Sequence, residues 1–237
     1  MKGSLVLELL SFGSTGYGDE LLRGFALTMS LAVGGYVLAI VLGVLLSFAA
    51  LSRHRIVRAF WNVYRSVLMG VPSLLVIFFL FFNLPVFMQM LTGTFLDVTP
   101  LTAGILALML VYGAYVGEAV RGAILNIPRG QFEAGRALGV RTIPLWCHII
   151  LPQAIRLAMP GLSNIWMVVL KDTALVSLVG LNDLVRAANV AAGSTQRPFL
   201  FYSAALAAFL IVAGLSHVLI DRLDRRLSLK RLADKAA

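Results

Sequence analysis

Glu118 and Arg121 stand three residues apart in an otherwise apolar stretch, Lys171 and Asp172 stand side by side ahead of Thr173 in another, and Ser73 follows Pro72 in a third. Ionisable side chains in apolar surroundings are expensive, so each faces a partner or an aqueous path. On a helix Glu118 and Arg121 share a face and can pair, either as an internal ion pair that fixes the helix or as part of such a path. Lys171 and Asp172 diverge by about 100° on a helix. Their partners therefore lie on other helices, and with Thr173 they form either an outer gate or an anchor at an interface. Ser73 either caps the helix that Pro72 opens or offers its hydroxyl, beside a freed helical end, to a ligand without presenting charge. Tyr112, Tyr115 and Trp166 are candidates to line a cavity, though aromatic residues in apolar helices also serve as packing and interfacial belt. Asn164 and His217 are read as satisfying neighbouring backbone.

Other chemistries are excluded by residue type. One cysteine, Cys147, permits no internal disulfide, and three histidines offer no metal-ligand spacing. No metal site and no bound cofactor are expected. The eleven acidic residues are scattered and the histidines isolated, which leaves no clustered carboxylates or Ser/His pair for a membrane enzyme. There is no Gly-rich phosphate loop of the GxxxxGK[ST] type, so the chain does not bind ATP by that route. A formal net charge of +9 raises nucleic acid as a partner, but the basic residues sit between apolar runs and form no continuous surface. A pore-forming ion-channel subunit is the alternative from another class; it needs a ring of carbonyls or like charges, and no such filter motif is readable.

The elements that must position these residues follow from hydropathy. Hydrophobic residues make up 59% of the 237-residue chain and charged residues 13%, with a mean hydropathy of +0.90, so a membrane has to be its solvent. A hydrocarbon core of about 30 Å takes about 20 helical residues. The uncharged runs Gly24–Leu51, Ser66–Leu96, Val98–Gly117, Leu157–Leu170 and Phe199–Ile220 predict an all-α membrane protein of about five transmembrane helices, near 24–51, 68–92, 99–125, 156–179 and 199–221. The second starts near Pro72, and the fourth must carry Lys171 and Asp172 at its outer end. Leu5–Phe12 is too short to span, is followed by a loop-like Gly13–Asp19, and does not resemble a cleavable signal peptide.

With the amino terminus outside, most basic residues fall on cytoplasmic segments, leaving only Lys2, Arg23, Lys171, Arg186 and Arg197 on the other face. The positive-inside bias thus predicts an outside amino terminus and an inside carboxyl terminus, with most arginines serving as topological anchors at the lipid surface. The segment 127–152 is then cytoplasmic. A short helix there begins after Pro128, where proline suits the first turn, and ends at Gly139, where glycine relieves a left-handed cap. Its exposed face is expected to show Ala134, Gly135 and Leu138, where the small residues let another protein's backbone approach.

That segment carries a motif. Glu133-Ala134-Gly135, then Gly139, then Ile149-Ile150-Leu151-Pro152 resembles the Glu-Ala-Ala signature of permease subunits of ATP-binding-cassette (ABC) importers, with Gly135 in place of the second alanine. Tyr112-Gly113-Ala114-Tyr115 with Glu118 and Arg121-Gly122, and the run Leu170–Leu181, extend the resemblance over nearly the whole chain. It is most similar to the polar amino-acid branch, and there to subunits serving histidine, arginine, lysine and opines. The resemblance implies a single transmembrane domain over 1–237 with the type I importer permease fold, in the bacterial inner membrane. It implies coupling to a separate ATPase subunit through Glu133, Ala134, Gly135, Gly139, Leu151 and Pro152, and pairing with a second permease, identical or homologous. Substrate arrives on an extracytoplasmic binding protein. Relatives that move cationic amino acids carry Arg-Gly-x-Pro and then an acid; here the run is Met69-Gly70-Val71-Pro72-Ser73. The simplest intramembrane counter-charge is therefore absent at Ser73, and the expected substrate is a polar amino acid or derivative, with no choice among them.

Overall fold

A computed structural model describes residues 8–13, 16–93 and 98–236, with side chains described as far as Arg225. Lys2 and the side chains of Arg226, Lys230, Arg231 and Lys235, which entered the charge asymmetry, lie outside the described residues, as do the first residues of Leu5–Phe12. The described residues form helices and turns and no strand. In chain order they are α1 (Gly18–Ala50), α2 (Arg55–Gly70), α3 (Ser73–Thr92), α4 (Pro100–Leu125), α5 (Arg129–Ala137), α6 (Thr142–Val179), α7 (Leu184–Thr195) and α8 (Pro198–Ala236). Five of them, α1, α3, α4, α6 and α8, are long and apolar enough to cross a membrane.

The helix limits differ from the uncharged runs for definite reasons. α1 starts at Gly18 because Asp19 and Glu20 occupy its first turn, where the helix dipole favours acids. α2 is an element that the uncharged runs do not reveal, since Arg55, Arg58 and Arg65 interrupt it. Its signal is amphipathic period: Ile56, Phe60, Val63 and Val67 are exposed along one stripe while Trp61 is buried opposite. α6 begins at Thr142 rather than near 156, passes through a π-helical turn at Leu145–Ile150, and ends in the 3₁₀ segment Thr173–Val179. α8 continues past residue 221 because charged residues in water extend a helix readily, here with Arg225 bonded to Asp221 at 2.8 Å.

By packing, the chain forms two compact units. The first holds Met1–Val37, Val71–Met109 and Val168–Leu215. Its core includes Leu31, Ile77, Leu108, Val169 and Val176, with Phe201 buried beneath Tyr17 and the small residues of α7. Asp183, fully buried, caps α7 by accepting from the Arg186 amide at 3.0 Å, and burial pushes its carboxyl up to about 6. The Thr28 hydroxyl accepts from the Leu184 amide at 3.1 Å, tying α1 to the same turn.

The second unit holds Leu38–Gly70, Leu110–Met167 and Ser216–Ala237. Three glycines let α1, α2 and α4 approach closely there, the small-residue packing that helices in lipid rely on. A Cβ at Gly43 would stand 2.6 Å from Val116 Cβ and 2.8 Å from the Gly113 carbonyl oxygen, and one at Gly117 would stand 2.6 Å from the Trp61 ring. At Gly122 on the same helix a Cβ would meet nothing within 4 Å. Gly43→Ala is therefore expected to lower the unfolding midpoint in detergent, since overpacking costs about 1–3 kcal/mol. Gly122→Ala should leave it unchanged or raise it slightly. Equal midpoints for the two alanine variants would contradict this packing.

Candidate functional site

Two groups of residues in this fold have the geometry of functional surfaces, one in each unit. In the second unit, α5 opens at Pro128, whose carbonyl accepts from the Gln131 amide at 3.0 Å. It closes through Gly139, whose φ of +72° lies in the left-handed region that glycine alone enters freely. The Val140 amide then returns to the Gly135 carbonyl at 3.0 Å. α5 is braced on α6 by the Gln153 side chain, which donates to Gln131 Oε1 at 3.3 Å, and by an edge contact of Phe132 on Trp146 with centroids 6.0 Å apart.

The exposed face of α5 carries Glu133, Ala134 and Leu138. Leu138 is 81% exposed, and Ile143, at the start of α6, is 76% exposed. Two large apolar side chains are thus held in the open beside the small Ala134. Gly135 is not part of it: this residue is buried, and a Cβ there would lie 2.4 Å from Leu145 Cδ1. The one-residue step from Ala134 turns it about 100° toward α6. Leu151 and Pro152 lie not in a loop but inside α6, just past the π-helical turn, and both are exposed.

In the first unit, α3 follows a break in the helical chain at Val71 and Pro72. Pro72, with φ −56° and ψ 133°, precedes α3, whose start has no side-chain cap. Ser73 is thus free of the capping role. Its hydroxyl instead donates to Asp172 Oδ2 at 2.6 Å, a bond across ninety-nine residues of sequence. Asp172 sits where α6 changes from α-helical to 3₁₀ winding, and the buried Thr173 donates back to the Leu170 carbonyl at 2.8 Å. Lys171, beside it, is exposed. Two irregularities, the break ahead of α3 and the change of winding in α6, therefore meet at a carboxylate. A carboxylate thus stands one hydrogen bond from Ser73, on a different helix.

The remaining candidates lie in the second unit. The Tyr112 and Tyr115 rings are 5.7 Å apart, Tyr112 buried and Tyr115 half-buried. Arg121 donates to Glu118 Oε1 at 3.0 Å, as their spacing allows, and Arg65 of α2 approaches the same oxygen at 3.7 Å. Sequence reading placed Arg65 only as a topological anchor. Among the described residues no group of His, Cys, Asp and Glu is arranged to hold a metal ion.

Residues 39–229 match the family described as the binding-protein-dependent transport system inner membrane component. The chain is 38% identical over 217 residues to the nopaline transport system permease protein NocQ of Agrobacterium fabrum, covering 89% of this chain and 92% of that one. It is 39% identical over 200 residues to the arginine ABC transporter permease protein ArtQ of Haemophilus influenzae, covering 84% and 90%. A crystal structure of an amino acid ABC transporter with histidines superposes with a TM-score of 0.78 at 28% identity, covering 89% of this chain and 95% of that chain.

Proposed function

The chain belongs to the binding-protein-dependent transport system inner membrane component family, as a permease subunit of amino-acid or opine ABC importers with the type I fold, and we propose that α5 is the surface on which its ATPase subunit docks. It is a multi-pass protein of the bacterial inner membrane. The pore-forming alternative finds no support in these relatives.

The observation that carries the docking reading is the exposed Glu133, Ala134, Leu138 and Ile143 surface, braced on α6 and closed by the left-handed Gly139. ATP is bound and hydrolysed by the docked subunit. This chain pairs with a second permease, and an extracytoplasmic binding protein delivers the substrate. Closure of the ATPases moves α5 and with it α4 and α6, switching access to the site from one side of the membrane to the other.

Substrate passes Ser73 and Asp172. The α2–α3 break and the 3₁₀ end of α6 support this, because irregular backbone at membrane depth occurs where it lines a cavity. Asp172 offers a counter-charge for the ammonium of an amino acid or for a cationic side chain, and Lys171 offers one for a carboxylate. The substrate is a polar amino acid or derivative, in keeping with relatives named for nopaline and arginine.

The test is transport by the purified complex in proteoliposomes, with the ATPase that co-purifies and the loaded binding protein. Uptake of a labelled amino acid that requires ATP on the ATPase side is expected; conductance independent of ATP would refute the reading. Orientation is tested separately. In a Cys147-free background, Ser194→Cys is expected to label in sealed cells and Arg55→Cys only after permeabilisation. The reverse pattern would invert the topology. Thr94, a natural reporter for the outer face, lies outside the described residues.

A further inference from the structure

Arg65 and Glu118 form a contact that is left half made. The two helices that carry them are firmly joined nearby: Trp61 of α2 lies in the space left by Gly117 of α4, and the Tyr64 hydroxyl donates to the Leu110 carbonyl. One residue further along, Arg65 Nη1 stops 3.7 Å from Glu118 Oε1, beyond hydrogen-bond length, while Arg121 takes that oxygen at 3.0 Å. Arg65 Nε and Glu118 Oε2 are both buried and have no hydrogen-bond partner. An unused buried donor and an unused buried acceptor on the two members of one loose pair are complementary. The Nε and Nη groups of arginine form a planar fork that matches the two oxygens of a carboxylate. Turning the Arg65 guanidinium so that its Nε–Nη2 edge, in place of Nη1, faces the carboxylate converts the loose contact into a bidentate one and satisfies both groups.

The position of the pair in the chain says what such a movement transmits. α4 runs from Glu118 to Leu125 and, through Asn126 to Pro128, into α5. α2 runs from Arg65 to Gly70 and, through Val71 and Pro72, to Ser73. The pair bridges the helix that feeds the docking surface and the helix that leads to the Ser73–Asp172 contact. Arg121 keeps a counter-charge on Glu118 while Arg65 is loose, which makes the open arrangement tolerable.

We propose that Arg65 and Glu118 are positioning residues for coupling: a two-state contact, loose in this structure and bidentate in another state of the transport cycle, that passes displacement of α5 and α4 to α2 and the substrate path. This rests on the importer reading above. The experiment uses the reconstituted importer with its ATPase subunits and binding protein. Arg65→Lys keeps the charge and removes the fork; it is expected to cut ATP hydrolysis stimulated by loaded binding protein about tenfold, the effect of one charged hydrogen bond, while leaving basal hydrolysis and complex yield intact. Spin labels at Arg58→Cys and Leu125→Cys in the Cys147-free background should report two α2–α4 separations whose populations change when ATP hydrolysis is trapped. Arg65→Lys should lose the shorter one. The exchange Arg65→Glu with Glu118→Arg should recover part of the stimulation that either single reversal abolishes. A single separation insensitive to trapping, normal stimulation in Arg65→Lys, or reversals that fail to assemble and are not rescued by the exchange would each overturn the proposal. If the wild-type complex itself showed no stimulation, the importer reading would fall instead.

Discussion

Replacing Gly139 by valine is expected to leave the permease in the membrane at normal abundance and to reduce substrate-stimulated ATP hydrolysis by at least about tenfold. A Cβ at Gly139 would meet nothing within 4 Å, so crowding is not the cause. The cost is conformational, because the backbone there has φ +72°. An L-residue in the left-handed region costs about 1–2 kcal/mol, a β-branched one more, and α5 escapes that cost by re-aiming its last turn and displacing Leu138 and Ile143. The same reasoning orders a series. Gly139→Asn should remain close to wild type, since asparagine visits this region, Gly139→Ala should fall between, and Gly139→Val should be worst. Glu133→Lys, which reverses a charge on the exposed face without touching the backbone, should uncouple as well. Normal stimulation in both Gly139→Val and Glu133→Lys, at normal expression, would show that α5 is not where the ATPase docks.

The second large effect is on selectivity. Asp172→Asn is expected to lower the ratio of arginine to glutamine transport ten- to a hundredfold, because losing a desolvated counter-charge costs about 1–3 kcal/mol. Ser73→Ala leaves the charge but removes the bond that orients it, so the same ratio should fall only a few-fold, for about 1 kcal/mol or less. Ser73→Asp should move the ratio the other way. It brings a second carboxylate beside Asp172 Oδ2, now 2.6 Å from the Ser73 hydroxyl, and a cationic group between the two relieves their repulsion. The measurement requires a binding protein that delivers both amino acids, or conditions that bypass it. Unchanged ratios in all three variants, with expression intact, would remove Ser73 and Asp172 from the substrate path and leave selection to the binding protein or the partner permease.

The sequence alone settled the number of spans and the class of fold, because hydrocarbon imposes a local requirement: some twenty apolar helical residues in succession, readable without knowing what packs on what. The same locality made Gly139 legible as a left-handed residue and Pro72 as a helix start, since both depend on their own backbone. α2 escaped that criterion. Its three arginines break the apolar run, and only its amphipathic period, confirmed by the burial of Trp61, betrays it. Gly135 escaped for a related reason: a small residue on a short helix serves an outer or an inner face equally well, and the position of Leu145 decided for the inner.

The pairings belong to the tertiary structure alone. Ser73 and Asp172, or Arg65 and Glu118, are far apart in the chain, and no periodicity links them. Whether they meet depends on which faces of α3 and α6, or of α2 and α4, come together, and that is decided by shape: where Gly43, Gly113 and Gly117 leave room, where Trp61 fills it, and where α6 changes its winding at Asp172. Composition thus determined that ionisable groups in these helices needed partners, and packing determined which partners they found.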